Sequence, residues 1–90
     1  MELLIHTDLQ EILADKIYHV RKKQKLSQKE ICLRAGIPLS TYQRIEQNGE
    51  GSLKNFAKIL VSLNRADELN KILNVADETP VEAYERIHHE

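Results

Sequence analysis

The chain is short of the residues that break or staple a fold. Its 90 residues include one cysteine, two prolines, three glycines and four aromatic side chains, with no tryptophan. A single cysteine, Cys32, excludes an internal disulfide and fits a reducing compartment, so a cytoplasmic protein is expected. So few glycines and prolines leave little for the many turns of a sheet sandwich. No apolar run approaches the ~20 residues that span a bilayer, and Leu3-Leu4-Ile5 is too short for a secretory core. No membrane partner is expected.

Recognisable catalytic patterns are missing as well. There is no Ser-His-Asp spacing, glycine-rich phosphate loop or paired-cysteine motif, and the carboxylates are scattered. No catalytic residue, no cofactor and no enzymatic activity are expected. Of the four histidines, His88 and His89 are adjacent and would point about 100° apart on a helix, unlike a chelating i, i+4 pair. No metal site is expected there, and His19 sits among lysines as a surface residue.

Helix formers make up much of what remains, which favours one small all-α domain. Burial is limited at this size, roughly 60–65% of the unfolded surface, so stability should be modest unless a partner covers more. The net charge of −1 hides a strong asymmetry. Residues 16–44 carry eight bases (Lys16, Arg21, Lys22, Lys23, Lys25, Lys29, Arg34 and Arg44) against the one acid Glu30, a net +7. The flanks, 1–15 and 45–90, are each net −4. Charges beyond ~8 Å are screened at physiological salt, so a phosphate near the middle segment meets the cations.

The apolar pattern predicts the elements. Thr7 and Gln10 read as a capping box, and Leu9, Ile12, Leu13, Ile17 and Val20 recur at three- and four-residue steps, which gives an amphipathic helix over about 8–24. Residues 1–7 before it read as a tail or as a strand pairing in a dimer. Ser27 and Glu30 cap a second helix, which Gly36 ends in the left-handed conformation. Cys32 suits a close approach of two helices, as a structural thiol. After Ile37, Pro38 fits the start of a third helix, with Tyr42 and Ile45 inward and Leu39, Ser40, Gln43, Arg44 and Gln47 on the opposite side. Asn48-Gly49-Glu50-Gly51 is a turn. Ser52 caps a fourth helix, 53–63, with Leu53, Phe56, Ala57, Leu60 and Leu63 inward. Leu69, Ile72 and Leu73 mark a short fifth helix. Residues 74–79 read as a linker, and Thr79-Pro80-x-Glu82 starts a last helix over 80–88. Its stripe of Val81, Tyr84 and Ile87 is too small to fold alone; it packs on the body, packs on a partner or stays loose. The divisions expected are therefore 1–7, 8–73 and 74–90.

Two short helices bent around one glycine, the second polar on its outer face, are the physical description of a helix-turn-helix. From about Lys16 to Leu73 the chain resembles the lambda-repressor-like (Cro-type, XRE) helix-turn-helix family. The matching string runs Leu26-Ser27-Gln28-x-Glu30-Ile31-x-x-x-Ala35-Gly36-Ile37 and continues as Ser40-Thr41-Tyr42-x-Arg44-Ile45-Glu46. The resemblance implies a compact five-helix bundle, here with a short C-terminal helical extension, and double-stranded DNA as partner. By position it implies that Leu39, Ser40, Gln43 and Arg44 meet base edges. Arg44 would suit guanine and Gln43 adenine. It implies phosphate contacts from Lys22, Lys23, Lys25, Asn48 and Lys54, and from Gln28, which in relatives binds a phosphate or supports a base reader. It also implies a structural salt bridge between Arg21 and Glu46. Two positions depart from the pattern. Pro38 stands where a Ser or Thr usually caps the recognition helix, and Leu39 stands where a polar reader is common; it meets a thymine methyl or is simply an exposed leucine.

A narrower stretch, Arg44-Ile45-Glu46-Gln47-Asn48-Gly49-Glu50-Gly51-Ser52-Leu53, is similar to the helix-turn-helix proteins encoded beside HipA-type toxin kinases. That likeness implies an antitoxin, with a toxin protein as partner. Two functions are thus expected, and they are not exclusive, since an antitoxin would combine them. One is a homodimeric transcriptional repressor reading a pseudo-palindromic operator with its third helix. The other is an interaction module that keeps the fold and binds a protein through its acidic ends and the stripe at Tyr84.

Overall fold

Six helices and no strand form among the described residues, 4–73 and 78–88 of a computed structural model. They are α1 (His6–Lys23), α2 (Gln28–Ala35), α3 (Leu39–Asn48), α4 (Leu53–Ser62), α5 (Asp67–Lys71) and α6 (Pro80–His88). This is the expected all-α bundle of five helices with a helical extension. Local chemistry fixes most of the boundaries. The Ser27 Oγ accepts the Glu30 N–H at 3.1 Å, and the Glu30 carboxylate accepts the Ser27 N–H at 3.0 Å, closing the capping box of α2. The Ser52 hydroxyl accepts the Asn55 N–H at 3.0 Å, and the Thr79 hydroxyl accepts the Glu82 N–H at 3.1 Å. Pro38 precedes α3 without a side-chain cap, as its lack of a side-chain acceptor requires. The tail or strand expected at the start lies partly outside the described residues, as do linker residues 74–77.

The core is built where α2, α3 and α4 meet α1. Ile17, Ile31, Cys32, Ile37, Tyr42, Ile45, Ile59 and Leu63 are buried together, with Val20, Leu26, Ala35, Leu39 and Phe56 packed around them. Each fully buried aliphatic side chain contributes about 1.5–3 kcal/mol relative to exposure. Cys32 is buried in this core, and burial raises its thiol pKa, with the nearby Glu46 carboxylate adding to it, which suits the structural role expected of it.

Three expectations need correction. Helix α1 begins at His6, and no Thr7–Gln10 box forms; instead the Asp8 carboxylate accepts the Ile5 N–H at 3.0 Å. Asp8 wins because its charge is also favoured at the positive end of the helix dipole. Second, Leu9, Ile12 and Leu13 are exposed, and the buried side of α1 runs through Ala14, Ile17 and Arg21. Periodicity gives the apolar side of a helix, not the point at which its neighbours end. Third, Ile59 is the fully buried residue of α4, whereas Leu53 is 78% exposed at the first turn. The contact runs through Phe56, Ile59 and Leu63, one helical stripe that leaves residue 53 behind.

Two glycines hold the reversals around α3. Gly36 ends α2 at φ 68°, with both its own N–H and that of Ile37 donating to the Cys32 carbonyl. Gly49 ends α3 at φ 77°, and a Cβ there would sit 2.3 Å from the Gln10 carbonyl oxygen. Open space surrounds Gly36. Gly36→Ala is therefore expected to cost about 1 kcal/mol of backbone strain alone. Gly49→Ala adds overpacking against α1, for about 2–4 kcal/mol in total. Urea titrations of both variants check the ordering; equal losses would contradict the close approach of α3 and α1.

Candidate nucleic-acid interface

The site is anchored by a buried charge pair. Arg21 of α1 and Glu46 of α3 are only 7% and 9% exposed. The Arg21 fork donates from Nε to Glu46 Oε2 at 2.9 Å and from Nη2 to Oε1 at 2.8 Å. Its remaining nitrogen, Nη1, donates to the Leu26 carbonyl at 2.7 Å, tying α1 to the loop before α2. The Tyr42 hydroxyl, one turn back on α3, donates to Glu46 Oε2. Gln28 donates to Glu46 Oε1 at 3.1 Å. Burial alone would raise the Glu46 carboxyl, but the hydrogen bonds from Arg21, Tyr42 and Gln28 outweigh it and hold its pKa below the usual carboxylate value. Burial first, then the Glu46 carboxylate, pushes the Tyr42 phenol up. Among the described residues no buried side-chain nitrogen or oxygen lacks a partner.

This network reaches the surface through two glutamines. Gln28 stands in the first turn of α2, with its amide nitrogen on Glu46. Its oxygen accepts from Gln43 Nε2 of α3 at 3.3 Å. A side chain on the outer face of α3 is thus held, through Gln28, by the buried pair. Ser40 and Arg44 are exposed on that same outer face. Leu39 differs from a plain surface residue: it is half-buried, packing part of its side chain against the core.

Beside the glutamines lies an open cleft of about 770 Å³ between the end of α1 and the starts of α2 and α3. Lys22, Lys25, Lys29, Gln28, Gln43 and Leu39 are on its walls. The structure therefore gathers Lys22, Lys25, Gln28, Leu39 and Gln43 at one place. It does not bring every expected phosphate residue there. Lys23 is exposed at the last residue of α1. Lys54 lies in a separate groove between α2 and α4, with Arg34 and Lys58. The Asn48 side-chain oxygen accepts the Glu50 N–H at 3.1 Å and braces the turn after α3. Lys29 is a cleft cation that reading by family position missed. Its place beside Gln28 in the first turn of α2 was the available signal.

A helix-turn-helix family model matches residues 17–69, more than half of the chain. The chain belongs to that family, of the lambda-repressor-like (XRE) type, and is a DNA-binding helix-turn-helix regulator. No curated protein matches it. Among the described residues no helix is long and apolar enough to cross a membrane.

Proposed function

We propose that this chain is a sequence-specific repressor that binds double-stranded DNA as a homodimer and reads a pseudo-palindromic operator with α3. The observation that carries the reading is the outward face of α3 set beside a lysine-lined cleft, with Gln43 already held by Gln28. In this reading Ser40, Gln43 and Arg44 meet base edges, and Leu39 meets a thymine methyl at the groove wall. Lys22, Lys23, Lys25, Lys29 and Lys54 neutralise phosphates, and the Asn48 turn approaches the backbone. Gln28 stands at the seam: it lines the phosphate cleft and positions Gln43. Two copies spaced one helical turn apart, about 34 Å, give the affinity that a single helix reading a few base pairs lacks.

The alternatives make a different prediction. An interaction module without DNA affinity leaves random duplex unshifted at any salt concentration. An antitoxin, suggested by the Arg44–Leu53 stretch, shares the DNA activity and adds a toxin. Gel-shift titration of random duplex at two salt concentrations tests the common claim. With roughly ten phosphate contacts per dimer, affinity is expected to fall by up to about 10⁵ between 50 and 200 mM salt. Absence of any shift at low salt contradicts the proposal.

A further inference from the structure

Two apolar surfaces of this chain stand open. The first is the α6 stripe, where Val81, Tyr84 and Ile87 are 65%, 64% and 67% exposed. The second is a groove of about 530 Å³ between α1, α4 and α5, with Leu13, Val20, Phe56, Leu60 and Ile72 among its apolar walls. An isolated helix of nine residues is marginal in water, so α6 needs cover for its stripe. Its own body does not supply that cover, since all three side chains stay exposed.

We propose that the α6 stripe of one chain docks in the α1–α4–α5 groove of a second copy, and that the exchange is reciprocal. The inference rests on the homodimer reading above and names its interface. Three observations favour a second copy. Stripe and groove are both on this chain, so one two-fold arrangement closes all four apolar surfaces, whereas packing stripe on stripe leaves the grooves open. Charge also fits: Glu85 borders the stripe, in which the Tyr84 ring stacks on His88, and Lys16 lines the groove beside the Arg65–Glu68 ion pair. Finally, one three-residue stripe is far below the about 1,200–2,000 Å² of a stable interface, and reciprocity doubles the covered area. None of the groove residues lines the lysine cleft, so the docking leaves the reading face of α3 free.

The test uses the full chain. Sedimentation velocity compares wild type with the Tyr84→Asp, Ile87→Asp double variant, whose substitutions fall on exposed positions and spare the body; far-UV circular dichroism verifies this. Isotope-filtered NMR on a mixture of carbon-13-labelled and unlabelled chains locates the contact. The wild type is expected to dimerise, and the variant to do so at least about tenfold more weakly. Interchain contacts are expected between the Tyr84 ring and the methyl groups of Val20 and Leu60. A wild type that stays monomeric, a variant that dimerises equally well, or Tyr84 contacts confined to one chain would each overturn the docking. Duplex binding is read separately: a dimer that shifts no DNA contradicts the repressor reading alone, and a dimer that shifts DNA while its Tyr84 contacts stay within one chain contradicts the docking alone.

Discussion

Replacing Glu46 with alanine is expected to cost about 3–5 kcal/mol of stability, because it leaves a buried guanidinium without its counter-charge. Three donors lose their acceptor at once: Arg21, Tyr42 and Gln28. A domain of 90 residues holds only about 5–10 kcal/mol in total, so the variant loses much of its margin. Thermal melting should drop by more than about 12 °C. The exposed Arg65–Glu68 pair on the α5 turn is the control. Glu68→Ala should cost far less than Glu46→Ala, because solvent screens a surface pair and side-chain entropy opposes it. Similar losses at the two sites would contradict the anchoring role given to Glu46.

The same pair has a pH signature. The folded pKa of Glu46 lies below its unfolded value, so its contribution is fully present above about pH 4.3, the unfolded carboxylate pKa, and fades as pH falls through the lower folded value. Glu30 and Glu68 are also held low, Glu30 first by the Ser27 backbone N–H and Glu68 first by Arg65. Wild-type stability against pH therefore mixes several groups. The gap between wild type and Glu46→Gln isolates one of them: it should be flat above about pH 5 and narrow in more acidic solution. A gap that widens on acidification would show that the carboxylate is not the favoured form.

The second large effect concerns recognition. Arg44→Ala is expected to remove about 1–3 kcal/mol of discrimination per half-site, flattening the preference for operator over random duplex. Lys23→Ala should weaken both duplexes by the same factor and reduce the salt slope by about one per site. The contrast follows from position: Arg44 is exposed on the outer face of α3, and Lys23 is exposed at the end of α1. Equal loss of specific and random binding in the Arg44 variant would count against its place among the base readers.

Much of this architecture was legible in the sequence because local chemistry fixes it. Ser27 with Glu30, Ser52 and Thr79 announce helix starts through side-chain oxygens within three residues of the N–H they accept. Gly36 announces the reversal before α3 through its tolerance of positive φ. The Arg21–Glu46 pair followed from family position, not from spacing, since 25 residues separate the partners. Long-range register was not legible. That Gln28 meets Gln43 depends on how α2 crosses α3, and the approach of Gly49 to Gln10 depends on where α1 lies. The exposure of Leu9, Ile12 and Leu13 is of the same kind: whether a leucine is covered depends on how far the neighbouring helices extend. Tyr42 donating to Glu46 could have been read, since residues four apart on a helix are neighbours.

Amide and side-chain NMR shifts of the full chain, titrated with double-stranded DNA, test the central assignment most directly. The account predicts that perturbations concentrate on Ser40, Gln43 and Arg44 of α3 and on Lys22, Lys25 and Lys29 around the cleft, with the α1–α4–α5 groove unaffected. Perturbations centred on that groove, or an unperturbed spectrum at low salt, would contradict it.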